Sequence, residues 1–134
     1  MGCKTIGRFV YDNATAESVE ANGSIPYSDI TTSSNCISCD GTNITIKHAG
    51  AYLIVANFTF CPADAGTQET QMYRNGNAVP GAHAISPATA STPLVQSINA
   101  FITVPCQMPM ATLNFRSVSA TAVRISNVIV VKVA

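Results

Sequence analysis

The sequence predicts an all-β fold, a sandwich, barrel or jelly roll of antiparallel strands. Three observations carry this. Helical periodicity is nearly absent: the one candidate segment, residues 14–21, offers a single large apolar residue, Val19. β-rich runs instead recur over residues 45–74, 94–104, 111–118 and 122–133, separated by turn residues. Between the first two of these runs stands Asn75-Gly76, a pair that tolerates the positive φ of a type I′ turn and places a tight hairpin there.

Each strand is read from its alternation, because successive side chains point to opposite faces and a sandwich needs only one face buried. Along residues 51–60, Tyr52, Ile54, Ala56, Phe58 and Phe60 supply a core face, while Leu53 and Val55 make half of the other face apolar. Along 94–104, Leu94, Ile98, Ala100, Ile102 and Val104 oppose Val95 and Phe101. In the last run Val123, Ile125, Ile129, Val131 and Val133 share one face, with Val128 and Val130 opposite. If these strands are neighbours, Leu53, Val55, Phe101, Val128 and Val130 form a patch larger than monomers usually expose. The simplest cover is a second copy of the chain; the alternative is a helix or the N-terminal segment folded over that face.

Composition narrows the function classes. The chain has 134 residues, 47% of them hydrophobic, which fits one domain with apolar residues to spare for an interface. Only 10% are charged, with seven bases against seven acids, so the footprint required by nucleic acid or anionic membranes is missing. All seven acids fall within residues 1–69 beside Lys4, Arg8 and Lys47, whereas Arg74, Arg116, Arg124 and Lys132 stand without acids afterwards. Strands distant in sequence interleave in a sandwich and mix the two sets; the sharper alternative is charge complementarity between subunits.

No run reaches the roughly 18 apolar residues of a membrane span, so membrane insertion is not expected. The first ten residues lack the apolar core of a signal peptide. Met1-Gly2-Cys3 resembles a myristoylation start, but Ile6 occupies the position where a hydroxyl residue is required. Five cysteines, Cys3, Cys36, Cys39, Cys61 and Cys106, do not indicate a disulfide framework. Cys36-Ile-Ser-Cys39 has half the spacing of a zinc knuckle and no second pair. Four glycosylation sequons, at Asn13, Asn22, Asn43 and Asn57, are close to chance in a chain so rich in Ser and Thr.

Ile44-Thr45-Ile46 leads into Ala49-Gly50-Ala51-Tyr52-Leu53-Ile54, the hairpin Arg74-Asn75-Gly76-Asn77-Ala78-Val79 follows, and the chain closes on an apolar strand. In that order, over residues 19–134, it resembles the tumour necrosis factor-like and complement globular-head jelly-roll superfamily, and especially the head domains of bacterial collagen-like spore-surface proteins. The resemblance implies a two-sheet jelly roll of about ten antiparallel strands, with residues 1–18 as an N-terminal arm. It also implies a homotrimer whose axis is lined by one sheet, with Leu53, Val55, Phe101, Val128 and Val130 as the trimer interface. In this topology the strands ending at Cys61 and Cys106 are antiparallel neighbours, which keeps the two thiols apart and free. Arg124-Ile125-Ser126-Asn127-Val128 stands where many animal members carry a Phe-x-Gly-type motif, which turns the comparison towards a bacterial or phage branch.

Catalytic and metal-binding patterns are not found, and no cofactor is expected. His48 and His83 fall in predicted turns outside any catalytic context, and the acids are scattered. The segments 62–70 and 80–93 read as loops, and His83, Ser86 and Thr89 are the candidate recognition residues of the second. The reading is a non-enzymatic trimeric head of a bacterial or phage surface or fibre protein, located on a virion, spore coat or cell surface. Its partners would be its own copies and a host-surface glycan or protein receptor. The alternative is a soluble lectin-like or cytokine-like ligand acting through its loops.

Overall fold

The computed structural model describes residues 5–107 and 110–134, so the Met1-Gly2-Cys3 start lies outside the described residues. The described chain is built of β1 (Ile6–Val19), β2 (Gly23–Ser24), β3 (Asp29–Thr32), β4 (Ile37–Cys39), β5 (Ile44–Ile46) and β6 (Gly50–Phe60). Then follow β7 (Gly66–Arg74), β8 (Asn77–Ala88), β9 (Leu94–Val104), β10 (Ala111–Ser117) and β11 (Thr121–Lys132). Two sheets form: a five-stranded one in the order β3-β1-β11-β6-β9 and a six-stranded one in the order β4-β5-β10-β7-β8, with β2 paired to β10. Every pairing is antiparallel. The all-β prediction holds.

Local chemistry explains the corners. Asn75 and Gly76 adopt φ of 51° and 84°, the positive values that the β7–β8 hairpin requires. At the start of β6 a side chain on Gly50 would come within 2.6 Å of Lys132 Cε and 2.7 Å of the Ala134 carbonyl, so only glycine lets the end of β11 pass. Two residues on, the fully buried Tyr52 donates its hydroxyl to the His48 carbonyl at 2.7 Å and ties the turn to the strand. The Gly50-Ala51-Tyr52 signature therefore has a packing role at one residue and a hydrogen-bonding role at the other.

Between the sheets lies a core in which Phe9, Ile54, Phe58 and Val130 from the first sheet meet Ile44, Met72, Leu113 and Phe115 from the second. The rings of Phe58 and Phe115 stack across the gap, tilted, 5.2 Å apart. One part of this interior is polar. Thr70 donates to Gln96 Oε1 at 2.6 Å, Gln96 Nε2 donates to the Gln68 carbonyl at 2.9 Å and to Ser86 Oγ at 3.1 Å, and Gln68 Nε2 reaches Ser117 Oγ at 2.9 Å. These bonds join β9 of one sheet to β7 and β8 of the other, and Gln68 extends the network to β10 within its own sheet.

Of the arm expected over residues 1–18, the part from Ile6 on is strand. Residues 6–19 form β1, hydrogen-bonded between β3 and β11, with Phe9 buried in the core. Its period-two pattern is broken by an irregularity between Asp12 and Glu17, which hides the strand from sequence reading. The cysteines also differ in part from expectation. Cys61 and Cys106 are free, as is Cys39, but Cys36 is disulfide-bonded.

Candidate functional site

Among the described residues, no group of three His, Cys, Asp or Glu side chains stands close enough to hold a metal ion. Burial pushes the Cys39 thiol up from its ordinary value, the opposite of what an activated thiolate needs. The feature that stands out is the outward face of the five-stranded sheet, opposite the core.

Pairing registers order this face into rows. The first row, from β1 to β9, is Ile6, Val131, Leu53 and Phe101, apolar across four strands. The second is Arg8, Ile129, Val55 and Asn99. Leu53 is 41% exposed, Ile6 47% and Phe101 61%. Leu53, Val55 and Phe101 thus share the outward face that the alternation of their strands predicts.

Val128 and Val130 do not. Both are fully buried in the core, facing inward beside Ala56 and Ile54. The cause is a bulge: β11 shifts register between Val123 and Ile125, so Val123 faces inward and the inward positions then continue at Ser126, Val128 and Val130. A strict two-residue period carried through Arg124 assigns the strand's second half to the wrong faces. Ile129 and Val131 occupy the outward places instead. Their apolar character is plain in the sequence, but the bulge that assigns their face is not.

The candidate recognition residues separate. His83 and Ser86 belong to strand β8, where a loop was expected, and only Thr89 lies in the turn that follows. His83 is exposed beside Glu69, 4.0 Å from its carboxylate, while Ser86 accepts from Gln96 in the interior network. Pro80, Gly81 and Pro87 read as loop residues, yet β8 is a sheet edge, where a missing backbone donor is tolerated. The other expected loop, 62–70, shrinks because β7 begins at Gly66. Beside the hairpin a groove of about 460 Å³ is lined by Arg74, Asn77, Val79, Pro80, Phe101 and Thr103. There Arg74 donates to the Thr103 carbonyl at 2.6 Å and closes the gap between the sheets.

The charge sets interleave. Arg124 on β11 donates to Asp12 on β1 at 2.9 Å, so bases of the second half meet acids of the first inside one chain.

No family model and no curated protein matches the sequence. Solved structures do. The globular domain of zebrafish complement 1qA protein matches with a TM-score of 0.76 at 11% identity, covering 98% of each chain. Murine APRIL matches with a TM-score of 0.73 at 11% identity, over 98% of this chain and 100% of that one. The vertex protein P5 of PRD1 matches with a TM-score of 0.60 at 14% identity over the whole of both chains. With its two antiparallel sheets and its Gly-x-Tyr strand start, the chain has the jelly-roll fold of the tumour necrosis factor-like and complement globular-head proteins.

Proposed function

We propose that this chain is a non-enzymatic head domain that assembles into a homotrimer through the outward face of its five-stranded sheet. The observation that carries the reading is the row Ile6, Val131, Leu53 and Phe101, an apolar band across four strands that its own chain leaves half wet. Covering the exposed half of such a side chain contributes about 1 kcal/mol, and the second row adds Ile129 and Val55. Three copies are the number implied by the superfamily resemblance. Neutral charge and hydroxyl-rich composition suit a head held at the surface of a larger assembly. The fold shared with the PRD1 vertex protein supports a bacterial or phage surface or fibre protein on a virion, spore coat or cell surface. In that setting the head supplies trimerisation, and its exposed turns present an adhesive surface to a glycan or protein receptor.

Size-exclusion chromatography with light scattering tests the assembly. A particle of about 42 kDa, three times the 14.0 kDa chain, is expected at micromolar concentration. A monodisperse species at the chain mass overturns the proposal.

A further inference from the structure

The outward face is interrupted once. Its third register row is Val10, Asn127, Asn57 and Ser97, and a mixed row of Asp12, Ile125, Thr59 and Val95 follows. Ser97 Oγ donates to Asn57 Oδ1 at 2.6 Å, which leaves the Asn57 amide nitrogen without a partner among the described residues. On β11, Asn127 Oδ1 is closed off from water and accepts no hydrogen bond there either. Asn99, exposed in the row beside, continues the polar patch on β9.

Whatever covers the apolar rows must also satisfy these amides, because a polar group dried without a partner opposes association. A carboxamide carries two donors and an acceptor, so a row of them is complementary to another copy of itself. A charged partner fits less well. The outward positions of β6 and β9 hold no ionisable side chain. The charges that face the row come from β1 and β3: Arg8, Asp29, and Asp12, which is already tied to Arg124.

We infer that the row Asn57, Ser97 and Asn127 is the polar contact by which copies of this chain recognise one another. Amide hydrogen bonds between subunits fix one register and one copy number, while the apolar rows supply the attraction. A polar residue within an apolar interface commonly specifies assembly in this way. This inference rests on the proposed self-assembly and adds the residues that make it specific.

Asn57→Asp and Asn57→Val test it against the unaltered protein by light scattering across a pH series. Asn57→Asp preserves shape and leaves Ser97 an acceptor, and circular dichroism checks that the fold survives. At pH 7 its assembly is expected to weaken by at least about tenfold, since unpaired carboxylates would be buried against each other, and to recover below about pH 4 as they protonate. Asn57→Val is expected to stay associated but to distribute over more than one mass. Tight assembly of Asn57→Asp at pH 7, or a single species of unaltered mass for Asn57→Val, overturns the inference while leaving the trimer intact. A monomeric unaltered protein overturns both.

Discussion

The two faces of the five-stranded sheet are made from the same kinds of residue and meet different fates. Inward, Ile54, Phe58, Val128 and Val130 are buried by the second sheet, and the one hydroxyl among the inward positions of β11 after the bulge, Ser126, donates to the Pro26 carbonyl at 2.8 Å. Outward, Leu53, Val55, Ile129 and Phe101 are as apolar, yet remain partly wet, and their polar neighbours Asn57 and Asn127 keep groups unpaired. Apolar content therefore does not distinguish the buried face from the open one here. Cover does: the second sheet closes over the inward face, although Tyr27 OH and Thr121 Oγ1 stay unpaired there, while among the described residues nothing closes over the outward rows.

The largest expected effect is on the inner face. Phe58→Ala removes a ring packed against both Phe60 and Phe115 and is expected to cost about 3–5 kcal/mol in denaturant unfolding. A loss below about 1 kcal/mol would mean that the two sheets do not close on each other as described. Next, Gln96→Ala takes the acceptor from the Thr70 hydroxyl, which keeps only the Gln68 amide at 3.2 Å, and the side-chain donor from the Gln68 carbonyl, at about 1–3 kcal/mol for a buried group left unpaired. Gln96→Leu should recover little of it, because shape alone does not repair the lost bonds.

Leu53→Asp, on the outer face, should reverse the pattern. Chain stability measured below the association threshold changes by less than about 0.5 kcal/mol, while the mass seen by light scattering falls to that of one chain. Destabilisation on the scale of Phe58→Ala would place Leu53 with the core and erase the contrast.

The smallest effect lies away from both faces. Asp40 accepts from the Thr42 and Asn43 backbone amides at 3.0 and 2.8 Å and from the Asn43 side chain at 3.1 Å, which lowers its carboxyl to about 2. Since the folded value lies below the unfolded one, this turn stabilises the chain above the ordinary aspartate range and the contribution is lost as pH falls towards 2. Carboxyl chemical shifts followed by NMR should place the Asp40 titration near 2, and Asp40→Ala should flatten the acid limb of the melting curve slightly. An ordinary titration would remove this turn from the acid response.

Much of the fold was legible. The strand over 94–104 matches β9, the last two strands lie within one residue of their expected starts, and Asn75-Gly76 turns the hairpin. What was not legible has physical causes. β1 carries an irregularity at its centre, β3 and β4 are only four and three residues long, and β8 is an edge whose prolines mimic a loop. At the candidate site Leu53, Val55 and Phe101 were readable because β6 and β9 pair without a bulge from Gly50 to Phe60. Val128 and Val130 were misassigned because one bulged residue, Arg124, inverts everything after it. Gln68, Thr70 and Gln96 were not singled out at all: glutamines and threonines on a strand read as solvated until a second sheet is laid over them.

That single bulge has a further consequence. With valine or isoleucine on both sides of its second half, β11 would bury nearly as much hydrocarbon if it slid by one place, so greasiness alone hardly chooses between the two alignments. The choice falls to small polar anchors: the hydroxyl of Ser126 has its acceptor only in the observed alignment, and Arg124 reaches Asp12 only where the extra residue bows the strand. Deleting Arg124 would straighten the strand with Ser126 still inside and Asn127 still outside, losing the ion pair to Asp12; the two sides exchange only when Arg124 takes a regular place in the ladder, which makes that slip the route to misfolding.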